Sequence, residues 1–163
     1  MPKTIYIDMD GVLVDLESYI EDTYTPDHIK EFGIGGIVDR DLNIFYDAKP
    51  ILGAVNVFKD LVSNPDLEVY ILSTAPWANP EAWKAKRVWV EQNLGEVAAK
   101  RLILSHRKDL LIGDYLIDDR DNNGAAQFKG EHIKFGTKPY TSWKEVMKYL
   151  EKNLHPNSIT LEK

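Results

Sequence analysis

The chain has no cysteine. That absence excludes a disulfide framework, a thiolate nucleophile and a thiolate-ligated zinc site, and it agrees with a reducing, cytoplasmic setting. A basic excess is missing as well. Lysine and arginine number 20 against 26 aspartates and glutamates, for a net charge of -6 and an isoelectric point near 5.2. A general nucleic-acid binder carries a basic face, so polymeric nucleic acid is not expected as a partner. The small basic cluster Lys84, Lys86, Arg87 reads as the solvated face of a helix. No apolar run reaches the length of a membrane span. Met1-Pro2-Lys3-Thr4 enters a strand directly, without the longer apolar run of a signal peptide. Repeats and low-complexity tracts are also lacking, and no membrane association is expected.

What is present is a chain of 163 residues, 44% hydrophobic, enough for one domain with a substantial core. Short apolar runs at Thr4–Asp8, Leu67–Ser73, Arg101–Leu104, Tyr115–Ile117 and His132–Phe135 read as strands. Helical patterns separate most of them. The alternation predicts an α/β fold: a Rossmann-like, five-stranded parallel sheet with helices on both faces. Asn79-Pro80 supplies a helix cap and a first-turn proline, and Gly95 closes that segment. Within it Trp83, Val90 and Leu94 share a face. Val55–Val62 forms another helix. Ser142 and Glu145 make a capping box ahead of Trp143, Val146, Met147, Leu150 and Leu154. The tryptophans in these helices read as core.

Residues 16–50 break the rhythm. A helix through Tyr19 and Ile20 stops before Pro26, and then come Phe32, Gly33-Ile34-Gly35-Gly36 and Phe45-Tyr46. An insertion after the first strand sits over the carboxyl ends of the strands, where open α/β sheets bind ligands. It is read as a small helical cap, with a second helical layer packed elsewhere as the alternative. The division is therefore a core of 1–15 and 51–154, a cap of 16–50, and a C-terminal tail of 155–163.

The chemistry gathers at strand ends. Ile5-Tyr6-Ile7-Asp8-Met9-Asp10-Gly11-Val12 is an apolar strand ending in two carboxylates one residue apart. Such a pair repels unless a cation or shared proton compensates it, although Asp and Gly also make ordinary turns. Ser73-Thr74 follows the second strand, Lys108 the third, and Asp118-Asp119 the fourth. In a parallel sheet these groups converge on one edge. Four carboxylates in one crevice call for divalent cations, and hard oxygen ligands select magnesium over zinc. Each group also has a plainer reading, Ser73 and Thr74 as strand terminators and Lys108 as a surface lysine; their conjunction and order favour metal-assisted phosphoryl transfer.

These motifs resemble the haloacid dehalogenase-like superfamily of phosphatases and, within it, the 5'(3')-deoxyribonucleotidases. The supporting stretches are Asp8-Met9-Asp10-Gly11-Val12-Leu13, Phe45-Tyr46 ahead of Lys49-Pro50, Gly53-Ala54, Thr74-Ala75-Pro76, Trp89-Val90-Glu91, and Lys108 ahead of Asp118-Asp119-Arg120. The resemblance implies Asp8 as nucleophile forming an aspartyl-phosphate and Asp10 as general acid, then base. It implies magnesium held by Asp8, the Asp10 backbone carbonyl and Asp119, with Asp118 in support, and phosphate held by Thr74, Ala75 and Lys108. Ala75 departs from the family, which usually has a second hydroxyl there, leaving its backbone N–H or Ser73 to compensate. Phe32, Phe45, Tyr46 and Trp77 are candidates to enclose a base.

The expected substrate is a small phosphomonoester, a deoxynucleoside 5'- or 3'-monophosphate before others, and a homodimer is kept open. The alternatives are a phosphatase of the same superfamily acting on a sugar phosphate or other metabolite, a phospho-accepting receiver-type module and a catalytically inactive binding module. A receiver places its lysine after the last strand, whereas Lys108 precedes the second acid pair.

Overall fold

The computed structural model describes residues 1–154, so the expected tail 155–163 lies outside the described residues. Strands form where β-branched and aromatic residues are concentrated: Lys3–Ile7 (β1), Leu67–Ser73 (β2), Leu102–Leu104 (β3), Tyr115–Asp118 (β4) and Glu131–Lys134 (β5). They pair in parallel throughout, in the order β3-β2-β1-β4-β5. This is the expected α/β sheet, with β2 as anticipated and the bounds of the others displaced by a residue. The order reverses at β1, and ligand crevices of open sheets lie at such reversals, beyond the carboxyl ends.

Period-two alternation divides the strand side chains between two faces. Ile5, Ile7, Val69, Ile71 and Ile117 enter the main core; Tyr6, Leu72 and Leu116 enter a smaller cluster on the other side. The main core is covered by Ala54–Ser63 (here α4), Pro80–Leu94 (α5) and Trp143–Leu154 (α6), through Phe58, Trp89, Trp143 and Val146 among others. The opposite face is covered by single 3-10 turns at Lys108–Leu110 and Ala125–Gln127, with Ala125 and Phe128 packed on Tyr6 and Leu116. Trp83 is only half-buried, against His106, whereas Val90 and Leu94 are buried as expected.

Residues 16–50 fold into Leu16–Thr23 (α1), Pro26–Val38 (α2) and Ile44–Asp47 (α3). Asp15 and Thr25 cap the first two through their side chains, and Pro26 occupies the first turn of α2. α2 was not expected from the glycine-rich 33–36 stretch; its helix breaks at Gly33, where φ is 66°. Leu16, Ile20, Ile37, Ile44, Phe45 and Ala48 share the main core. The segment's two ends lie side by side, with the Asp15 N–H donating to Lys49 O and the Ile51 N–H to Leu13 O, both at 2.8 Å. Among the described residues no helix is long and apolar enough to cross a membrane.

Trp143 ties α6 to the turn that follows β1. It is buried, and its Nε1–H donates to the Val12 carbonyl at 2.9 Å. Trp143→Phe keeps an aromatic ring but orphans that carbonyl, which is expected to cost about 1–3 kcal/mol. Urea denaturation measures it, and an unchanged midpoint would show that the bond contributes nothing.

Candidate active site

Each strand end delivers its group to the same edge. The cleft there, about 440 Å³, is lined by Asp8, Asp10, Thr74, Lys108, Asp118 and Asp119 on the sheet side. Gly35, Val38 and Asp39 line it from α2 and the residue after it, and Trp77, His106 and Arg120 stand at its rim. Its size suits a small-molecule ligand, about 300–1,000 Å³ being usual. A larger cleft of about 630 Å³ beside α5 and β3 has an apolar floor with Arg87, Glu91, Glu96 and Lys100 around it, and none of the expected chemical groups reaches it.

Asp8, Asp118 and Asp119 each offer one oxygen, all within 4.8 Å of one another. Lys108 compensates two of them. Its Nζ lies 3.1 Å from Asp8 Oδ1 and 2.5 Å from Asp118 Oδ2, and all three residues are buried. Burial works against the charge on Lys108, but Asp8 and Asp118 together outweigh it and raise its pKa. Asp119 has less help. Burial and the charge on Asp8 push its carboxyl from 3.8 up to about 6, opposed by Arg120. Its Oδ1 is buried without a hydrogen-bond partner. An orphaned carboxylate oxygen beside two further carboxylates is a donor set that suits a hard divalent cation. Gly11 makes the approach of Asp119 feasible: a Cβ there would lie 2.4 Å from Asp119 Oδ2, and the backbone turns through φ 74°.

Asp10 faces a second cation. Lys86 Nζ donates to Asp10 Oδ1 at 2.7 Å and to Ser73 Oγ at 3.1 Å, and its ammonium lies 4.3 Å from the centre of the Phe45 ring. Burial raises the Asp10 pKa, Asp8 adds to the rise and Lys86 opposes it. The expectation of a solvated face is thus corrected at Lys86, which is fully buried while Lys84 and Arg87 are exposed. Its signal was present in the periodicity. Ala82, Ala85, Lys86, Trp89 and Val90 are all buried, an i, i+3, i+4, i+7, i+8 stripe that puts a lysine where a core residue belongs.

The remaining expected residues are distributed unevenly. Thr74 lines the cleft and donates its hydroxyl to Ser105 O at 2.7 Å. Ala75 is fully buried behind it, and Ser73 turns away from the cleft toward Lys86. Trp77 is 82% exposed at the rim, edge-on to His106. The other three aromatics are not on the wall. Phe45 is buried beneath Lys86 because the apolar floor and the ammonium both favour its ring there. Tyr46 donates to Glu81 between α3 and α5. Phe32 lines a separate hollow with His28 and Arg40 on α2's outer side. Arg120, which enters the sequence analysis only as the end of the Asp118-Asp119-Arg120 stretch and without a role, has its Nε 3.5 Å from Asp119 Oδ2.

The family described as 5' nucleotidase, deoxy (pyrimidine), cytosolic type C protein matches residues 36–150. A Vibrio phage KVP40 protein named as a 5'(3')-deoxyribonucleotidase is 49% identical over 146 residues, covering 90% of this chain and 83% of the phage protein. The chain belongs to the 5'(3')-deoxyribonucleotidase family. The human cytosolic-type 5'(3')-deoxyribonucleotidase is 28% identical over 157 residues, covering 80% of this chain and 78% of its own. The fold is that of the haloacid dehalogenase-like hydrolases: the HAD-hydrolase YfnB from Bacillus subtilis, solved bound to magnesium, superposes with a TM-score of 0.62 at 11% identity, covering 91% of this chain and 98% of its own. This deoxyribonucleotidase relative is accordingly a phosphatase.

The raised carboxyls set a pH dependence. The folded Asp119 value of about 6 lies above the ordinary 3.8, so the folded state binds the proton more tightly than the unfolded one. Between these values stability falls as pH rises, and Asp10 and Asp118, also raised chiefly by burial, act in the same direction. A cation that needs deprotonated oxygens reverses the loss. Magnesium is expected to raise the Tm more at about pH 7.5 than at about pH 5. Equal shifts at the two pH values would contradict the assignment of Asp119 as a cation ligand.

Proposed function

We propose that the protein is a magnesium-dependent phosphohydrolase of deoxynucleoside 5'- or 3'-monophosphates that works through an aspartyl-phosphate on Asp8. The observation that carries this is the convergence of Asp8, Asp118 and Asp119, each with an oxygen within 4.8 Å of the others, in a cleft that Thr74 and Lys108 also line, with Asp119 Oδ1 buried and unpartnered. Asp8, Asp119 and the Asp10 backbone carbonyl would hold the magnesium, with Asp118 in support. When bound, the ion neutralises charge on the phosphate oxygens.

The chain's own groups perform the rest. An Asp8 oxygen attacks phosphorus, and the bond from phosphorus to the nucleoside oxygen breaks. Asp10 gives its proton to the departing alkoxide, and the upward shift of the pKa of its part-buried carboxyl supports that role. Lys86 keeps the Asp10 carboxyl aimed while leaving its other oxygen for the proton. In the second step Asp10 takes a proton from water, the water oxygen attacks phosphorus, and the bond to Asp8 breaks to release phosphate. Lys108 screens the incoming phosphate from the acids. Thr74 exchanges the Ser105 carbonyl for a phosphate oxygen, and the Ala75 backbone N–H serves where the family has a second hydroxyl.

Residues 16–50 act as the cap over this cleft, because Gly35, Val38 and Asp39 supply its far wall. The exposed Trp77 ring offers a π-face for stacking a base, which favours a nucleotide over a sugar phosphate. We place the activity in the cytoplasm, by analogy with the cytosolic-type human relative.

Phosphate release from a panel of phosphomonoesters, with and without magnesium, tests this reading. Magnesium-dependent release is expected to favour deoxynucleoside monophosphates, and Asp8→Asn is expected to fold normally with no turnover. Release from sugar phosphates in preference would discard the substrate assignment. An active Asp8→Asn would discard the mechanism. Lys86→Met, which leaves Asp10 without its cation, is expected to lower kcat by about 10²-fold or more; unchanged kcat would remove Lys86 from the account.

A further inference from the structure

The carboxamide of Asn79 is divided between two parts of the molecule. The residue is 1% exposed. Its oxygen accepts the Ala82 N–H at 3.3 Å and caps α5. Its nitrogen donates to the Val38 carbonyl at 3.1 Å and to the Asp41 carbonyl at 3.0 Å, one at the end of α2 and one just beyond it. Val38 and Asp39 belong to the cap wall of the cleft, and Thr74, Pro76 and Trp77 to the wall across from it. The Asn79 backbone N–H donates back to Pro76 O at 3.3 Å. One buried residue therefore joins the stretch carrying the cap wall, through its side chain, to the turn carrying the phosphate-binding hydroxyl, through its backbone.

This dual use needs an amide. Asparagine offers an acceptor and two donors on a short stem; aspartate offers acceptors alone, and serine offers one shared hydroxyl. As a helix cap, either substitute serves about as well. The capping task alone thus does not demand asparagine, whereas the bridge to the cap does.

We propose that Asn79 is a specificity-positioning residue, which fixes the Val38–Asp41 end of the cap against the Thr74–Pro76 turn and so pre-sets the cleft for a leaving group of nucleoside size. It touches no reacting atom. The proposal rests on the nucleotide reading of the cleft. Its physical basis is preorganisation: a wall held in place costs no ordering when substrate arrives. The Gly33 break lies upstream of the clamped end, so any movement there leaves Val38 and Asp39 where Asn79 holds them. A small phosphomonoester reaches the acids and Lys108 without needing that wall.

The test compares Asn79→Asp and Asn79→Ser with the unaltered protein. The measurements are kcat and KM on a deoxynucleoside monophosphate and on p-nitrophenyl phosphate with magnesium, alongside Tm. Both variants retain a capping oxygen and are expected to fold. KM for the nucleotide is expected to rise about tenfold or more as the wall loses its position, and further in Asn79→Asp, whose carboxylate faces two carbonyls. For p-nitrophenyl phosphate, kcat/KM is expected to stay within about twofold. Parallel losses on both substrates would reduce Asn79 to a structural cap and overturn the proposal, as would an unchanged nucleotide KM. An unaltered protein that hydrolyses both substrates without preference would also overturn it, leaving the phosphatase reading intact. An unaltered protein that hydrolyses neither would overturn both.

Discussion

Lys108 lies between Asp8 and Asp118, 3.1 Å from one and 2.5 Å from the other, in a position that water scarcely reaches. Carboxylates buried without a partner neutralise themselves or destabilise the fold, so the acid floor depends on this ammonium. The rest of the architecture can be traced from it. β1 and β4 must be neighbours to bring Asp8 and Asp118 together, which the strand order provides. Lys108 must arrive after β3, which is on the far side of β2 and β1, and its 3-10 turn is pinned there by its own N–H donating to Asn123 O at 2.8 Å. Gly124 permits that contact, since a Cβ there would sit 2.2 Å from Asp109 Oδ1.

One lysine cannot neutralise everything on that edge. Asp119 keeps an oxygen without a partner and holds its proton up to about pH 6, and Asp10 relies on Lys86, brought by a different helix. The two cations partition the acids by task. Lys108 draws Asp8 and Asp118 together, while Lys86 lies on Asp10, whose pKa burial still raises. In the proposed mechanism a cation among Asp8, Asp118 and Asp119 would balance their charge, while the Asp10 side chain keeps Lys86 as a partner of its own.

Most of the floor was legible in the sequence because strands advertise their ends. Asp8, Thr74 and Asp118-Asp119 each follow an apolar run of strand length, and parallel pairing does the rest. The 16–50 segment was less legible. Thr25-Pro26 is a sound helix start, but the glycines at 33, 35 and 36 argue against a helix by propensity, and only packing of Ile37 into the core shows why the chain continues helically past the break. The aromatics failed as guides for a related reason. Composition cannot say whether a ring faces ligand or core, and Phe45 went beneath Lys86 while Trp77 stayed in solvent. Lys86 was hidden by its neighbours: Lys84 and Arg87 make the stretch look uniformly solvated, although its helical phase matches Ala82, Ala85 and Trp89.

In the proposed mechanism Asp8 becomes covalently phosphorylated while Asp10 handles protons. This is tested most directly by quenching the protein in acid during turnover of a deoxynucleoside monophosphate with magnesium, reducing any acyl phosphate with borohydride, and mapping the product by mass spectrometry. Homoserine is expected at position 8, with unmodified aspartate at 10, 118 and 119. Modification at another aspartate, or steady turnover with none at Asp8, would contradict it.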